Sequence, residues 1–266
     1  MHGFYLYCIR PQTVKPVEIV KAISGEEKVC VISYDKIEAI VSEVDLNEFG
    51  SEEIQKKAAE DLNWIKEKAQ THEEVIEQAM GKGSSNIIPV IPMQFGVIFK
   101  SKERLEETLK DRYLNFKETL EKLKGKQEWG VKVYFQDDIF RKNIEEKNKQ
   151  VLSKKKEIER LSQGIAFFVQ KQIDEIVEQE KDKDLDRIIE EIYENLGTLS
   201  FSQNKAKLLE KDFTGRTEEM ILNSFYLIEE PKLAQFQKRV EELKEKYHTS
   251  GFEVEITGPW PSYHFA

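Results

Sequence analysis

Histidines, cysteines and short charged runs are the residues of this chain best suited to chemistry, and their spacing decides what each could do. Four histidines occur: His2, His72, His248 and His264. One sits in Thr71-His72-Glu73-Glu74-Val75, which begins like a zinc-binding His-Glu-x-x-His helix. In such a helix two imidazoles one turn apart hold the metal, and the glutamate acts on its bound water. No histidine follows at the fourth position, so that metal site is absent. His72 falls on the apolar stripe of its helix, where the sequence predicts a satisfied, partly buried side chain. Cys8 and Cys30 form neither a Cys-x-x-Cys pair nor a metal-ligand pattern, and read as small buried apolar residues in a reducing compartment. No phosphate-cradling glycine loop and no Gly-x-Ser-x-Gly elbow is present. Glu190-Glu191, flanked by Ile188, Ile189 and Ile192, and the run Lys154-Lys155-Lys156 read as solvated helix faces. The expectation is a protein without catalytic residues, metal or cofactor.

Bulk properties narrow the class further. The chain has 266 residues, 34% of them charged, and a formal net charge of −9. That acidity gives no support to nucleic-acid binding, which needs a basic footprint. The N-terminal run Phe4–Ile9 reads as a strand rather than a signal peptide. No stretch approaches the ~18 apolar residues of a membrane span. A soluble cytoplasmic protein with no lipid-membrane partner is expected.

The elements that must position these residues follow from periodicity. Strands are predicted at Phe4–Ile9, Lys28–Tyr34 and Ile37–Ser42, the last two joined by a tight turn at Asp35-Lys36. Residues 51 to 80 read as one helix with Ile54, Ala58, Leu62, Ile65, Ala69, His72, Ile76 and Met80 inward. The apolar run Ile87–Phe99 holds two prolines and reads as a strand, a break and a second extended piece. Ser101 caps a helix carrying Leu105, Leu109, Phe116, Leu120 and Leu123, which ends at Gly125. A strand Glu128–Phe135 opens the second half. A long helical region follows, from about Ile139 to Lys181, with a half-formed heptad at Ile144, Val151, Ile158 and Ile165. Leu161 and Phe168 take the companion positions, and the face from Ile158 onward is apolar enough for a core. Then come a helix Leu185–Leu196, strands Thr198–Ser202 and Met220–Ile228 around a mostly looped 203–219, a helix opened by Pro231, and a strand Phe252–Ile256.

The expected class is α+β in two domains, 1–125 and 126–266. The second has the order βαββαβ, a ferredoxin-like plan with an extended helical crossover. Beyond it, Pro259 and Pro261 lack N–H donors, so the last strand should not simply continue.

Four segments share one pattern: Ile91-Pro92-Met93-Gln94-Phe95-Gly96-Val97-Ile98-Phe99, Glu128-Trp129-Gly130-Val131-Lys132-Val133, Ser162-Gln163-Gly164-Ile165-Ala166-Phe167-Phe168 and Gly258-Pro259-Trp260-Pro261-Ser262-Tyr263-His264-Phe265. In this order and at these separations they resemble the gas vesicle protein L/F family. The tail is the most specific of the four, although Ser262 stands where the family more often has proline. The resemblance implies a non-enzymatic minor component or assembly factor of gas vesicles, hollow gas-filled protein shells. It would bind the major gas vesicle shell protein, and other minor gas vesicle proteins with it. It would work at the inner surface of the vesicle or otherwise against the shell, and be cytoplasmic before assembly. The other class left open is a small-molecule sensor or enzyme on a ferredoxin-like sheet. Trp260, Tyr263 and Phe265 are the candidate binding residues. They could fold the tail into a groove of its own protein and seal the two halves, or dock on the shell protein.

Overall fold

The computed structural model describes residues 2–13, 21–25, 28–84 and 86–266, and only the backbone of Ser51 and Ala58. The stripe position Ala58 therefore lies outside the described side chains. Two compact units divide the chain: Met1–Glu128 with Pro259–Ala266, and Trp129–Gly258. The boundary expected at 125/126 left the tail with the second half, whereas residues 259–266 group with the first unit.

In the first unit, β1 (His2–Pro11) is an interior strand. It pairs antiparallel with β3 (Ile37–Asp45) on one side and with the short β4 (Ile91–Pro92) and β5 (Ile98–Phe99) on the other. Tyr5, Leu6, Tyr7, Cys8 and Ile9 are all buried, which is why β1 reads as an unbroken apolar run. A β-bulge falls between Leu6 and Cys8. The strand β2 (Val29–Tyr34) pairs with β3 through a two-residue turn, and Asp35 takes φ 50°, left-handed backbone that Asp tolerates. β2 is an edge strand, so Cys30 is exposed while Cys8 is buried, and the expectation that both cysteines are interior holds only for Cys8.

The helix expected over 51–80 is divided. After α1 (Leu46–Phe49), α2 (Ser51–Glu60) ends at Asp61, whose carboxylate accepts from Asn63 and Trp64 N–H and so starts α3 (Leu62–Ala79) afresh. The restart shifts the buried face: Leu62 is 76% exposed and Ala69 exposed, while Thr71, His72, Val75, Ile76 and Ala79 turn inward. Ser101 caps α4 (Lys102–Asp111) as expected, and a bend at Arg112 separates it from α5 (Tyr113–Leu123). Leu105, Leu109, Phe116, Leu120 and Leu123 are buried.

The second unit is built on a sheet in the order β7-β8-β6-β9, with β6 (Lys126–Phe135), β7 (Ser202–Lys205), β8 (Glu219–Glu229) and β9 (Phe252–Trp260). The long helical region is three helices: α6 (Asp137–Lys147), α7 (Lys149–Ile158) and α8 (Gln163–Gly197). Asn148 makes the first break, its side chain capping the N–H groups of Gln150 and Val151. α8 absorbs the helix expected separately at 185–196. Val151 joins Ile173, Val177, Ile188 and Ile192 in one core, but Ile165 and Phe168 point outward, so the heptad does not run through. The residues 198–200 expected as strand form a turn, and α9 (Lys211–Thr214) interrupts the expected loop, ending at Gly215 with φ 66°. Pro231 sits in a 3-10 turn leading into α10 (Leu233–His248), which buries Phe236, Val240, Leu243 and Tyr247. β9 runs through Pro259, further than expected. It is an edge strand, where a missing N–H leaves no ladder bond unmade.

Candidate functional site

β1, α3, the segment linking β4 to β5, and the first residues of β6 bring the tail's partners together in the first unit. β1 fixes Tyr5, whose hydroxyl lies 2.9 Å from His72 Nδ1 and accepts the Gly96 N–H at 3.0 Å. On the other side of the ring, His72 Nε2 lies 3.0 Å from the Met93 carbonyl oxygen. A carbonyl only accepts, so Nε2 carries the hydrogen and Nδ1 receives the Tyr5 O–H. Both nitrogens are thus committed. Tyr7 stacks on the ring at 5.8 Å, and Tyr5 and Phe95 meet it edge-on. Burial in this aromatic nest holds the imidazole neutral, its pKa lowered to about 4. His72 is the satisfied histidine its helical position predicts, buried more fully than expected.

Residues 259–266 lie against this nest. Tyr263 donates to Glu73 Oε2 at 2.9 Å, and its hydroxyl is 3.5 Å from His72 Nε2. His264 engages Glu128 twice: Nδ1 to Oε1 at 2.7 Å, and main-chain N–H to Oε2 at 3.2 Å. Phe265 is buried, and its carbonyl accepts from Lys122 Nζ at 2.8 Å. Trp260 lies under the Lys82 ammonium at 5.0 Å from the ring centre. Main-chain bonds from Phe265 and Ala266 to the Ser262 carbonyl coil the end into a turn.

Burial raises the pKa of both carboxylates. For Glu73 the Tyr263 hydrogen bond opposes the shift, and for Glu128 the contacts to His264 oppose it. Burial likewise raises the Tyr263 phenol, with the Glu73 charge adding to it. Glu73 Oε1 is buried without a hydrogen-bond partner among the described residues. A groove of about 720 Å³ runs beside the tail, lined by Pro92, Met93, Arg112, Phe116, Tyr263 and Phe265 among others. Neither His72 nor Glu73 lines it.

Trp260, Tyr263 and Phe265 therefore each touch the first unit. Sequence reasoning missed Lys82, Glu73 and Lys122 as their partners, and the pairing of His264 with Glu128. Glu128 carried a faint signal, a carboxylate at the head of a predicted strand whose other residues, Lys132 apart, are apolar. Nothing in the sequence ties it to a histidine so far along the chain.

Among the described residues no group of His, Cys, Asp and Glu could hold a metal ion, and no helix is long and apolar enough to cross a membrane. The geometry defines a mixed helix–sheet protein whose C-terminal segment is clasped onto its own N-terminal unit. The pattern of the family described as gas vesicle synthesis protein GvpL/GvpF matches residues 3–266, and the chain belongs to that family. It is 23% identical to gas vesicle protein F1 of Halobacterium salinarum over 246 residues, 92% of this chain and 84% of that protein. It is also 23% identical to gas vesicle protein L of a Streptomyces species, over 98% of this chain and 92% of the relative. The fold is similar to the crystal structure of GvpF from Anabaena, with a TM-score of 0.74 at 20% identity over 100% of this chain and 98% of that one.

Proposed function

We propose that this protein is a non-enzymatic assembly factor or minor component of gas vesicles that binds the major shell protein and supports shell nucleation, at the inner surface or otherwise against the shell. The family match over residues 3–266 carries this reading. The histidine most capable of chemistry supports it as well, because both nitrogens of His72 are used inside the protein. That commitment disfavours the alternative of a sensor or enzyme working through His72 and Glu73.

The second unit is read as ferredoxin-like with an extended helical crossover, which the strand order β7-β8-β6-β9 supports. Trp260, Tyr263 and Phe265 are read as tail-docking residues first and partner contacts second, supported by the burial of Phe265 and the Tyr263–Glu73 bond.

A pull-down with the purified shell protein tests the function, and a clean negative at micromolar concentrations would overturn it. Deleting residues 259–266 tests the tail. A lowered melting temperature is expected; an unchanged one with shell-protein binding lost would make the tail a partner contact instead.

A further inference from the structure

The reversal between α7 and α8 carries an exposed apolar tip that nothing so far explains. Ile165, Phe167 and Phe168 are 54%, 60% and 68% exposed in the first turns of α8, and Leu152 of α7 is exposed too. The two phenylalanine rings touch edge to face, and the Lys171 ammonium lies 5.2 Å from the centre of the Phe167 ring. Val151, Ile173 and Val177 supply the core packing of these helices without them. Large apolar side chains grouped in water mark an interaction surface more often than chance.

Charge around the tip selects the partner. Residues 149–171 carry six Lys or Arg against two Glu, in a chain of net charge −9. Residues 172–197 of the same helix carry ten Asp or Glu against three Lys or Arg. A second copy meeting this one tip to tip or along α8 fits poorly. Tip against tip sets basic collar against basic collar, and residues 169–197 offer no exposed large apolar side chain for the phenylalanines. An anionic lipid surface would repel the acidic bulk of the chain over a Debye length. An amphipathic helix with an apolar face and acidic flanks satisfies both features at once.

We propose that the α7–α8 tip is a docking site for an acidic amphipathic helix of a partner protein, with Ile165, Phe167 and Phe168 as the apolar anchors and Lys154, Lys156 and Arg160 in the basic collar. This site is independent of the clasped tail and does not rest on the identity of the partner proposed above.

The probe is a labelled 18-residue helix with Leu on one face and Glu on its flanks, titrated with the full chain by fluorescence anisotropy. A helix with Lys replacing Glu is the control. A patch this small should bind the acidic helix with a Kd of roughly 10–100 µM, weakening about tenfold or more between 50 and 300 mM salt. The control should not bind. Phe167→Ser with Phe168→Ser should abolish binding with an unchanged melting curve, because both side chains are exposed. The triple reversal Lys154→Glu, Lys156→Glu, Arg160→Glu should transfer preference to the Lys helix. Equal binding of both helices, no binding of either, or full binding by the double serine variant overturns the proposal. So does binding to phosphatidylglycerol vesicles without binding to the helix, which would assign the tip to lipid.

Discussion

Replacing His264 by alanine should destabilise the protein through a residue distant in sequence, and by an amount that depends on pH. The Glu128 side chain is 1% exposed and that of His264 30%. Removing one partner of a fully buried pair costs about 3–5 kcal/mol. Here the His264 main-chain N–H at 3.2 Å still reaches Glu128. Water also has access from the histidine side, so roughly 2–3 kcal/mol remains. In a chain of this length that lowers the melting temperature by about 5–10 °C. Burial already raises the Glu128 pKa, and the His264 contacts pull against it. Without them the folded value moves further above the unfolded value of about 4.3. Stability linked to a raised carboxyl is fully present below the unfolded pKa and is lost as pH rises through the folded one. The deficit of the variant should therefore be small near pH 5 and full near pH 8. Circular-dichroism melts at both values, for the wild type and His264→Ala, measure it. Adding Glu128→Gln to His264→Ala should recover part of the loss and flatten its pH dependence. An equal deficit at both pH values, or none, would refute the account of Glu128 as a buried charge held by the tail.

Two further outcomes follow from the first unit. The lowered pKa of His72, about 4 against an ordinary 6.5, means that its linked stability is present above pH 6.5 and is lost as pH falls toward 4. About 3 kcal/mol is at stake, and acid titration of His72→Gln should show a shallower decline than wild type. Arg10 bonds Glu38 and the Ala79 carbonyl at 2.7 Å each, with both charged side chains at most 5% exposed. Arg10→Met should cost about 3–5 kcal/mol in urea unfolding, whereas Arg10→Met with Glu38→Met should recover most of it.

Much of the fold was legible because local pattern and tertiary environment agree. The Asp35-Lys36 hairpin, the interrupted run Ile87–Phe99 and the Ser101 cap all rest on local chemistry, and each stands where it was expected. Helix breaks were illegible for the same reason in reverse. Asp61 and Asn148 interrupt apolar stripes that continue on both sides, so periodicity overrode two capping side chains. Ile165 and Phe168 keep heptad spacing yet face water, because the chain reverses at 159–162 and takes the seam with it. At the site, His72 was read correctly from its stripe. Its neighbours Tyr5, Met93 and Tyr263 come from three separate stretches, and no spacing rule joins them.

The return of residues 259–266 to the first unit also bears on how the chain is made. Tyr263 meets a histidine 191 positions earlier, so this unit cannot finish when its own strands and helices emerge from the ribosome. Its carboxylates Glu73 and Glu128 wait unclasped until the whole second unit has been synthesised. A chain ending after residue 258 would thus lack the last residues of β9 and leave Glu73 and Glu128 without Tyr263 and His264.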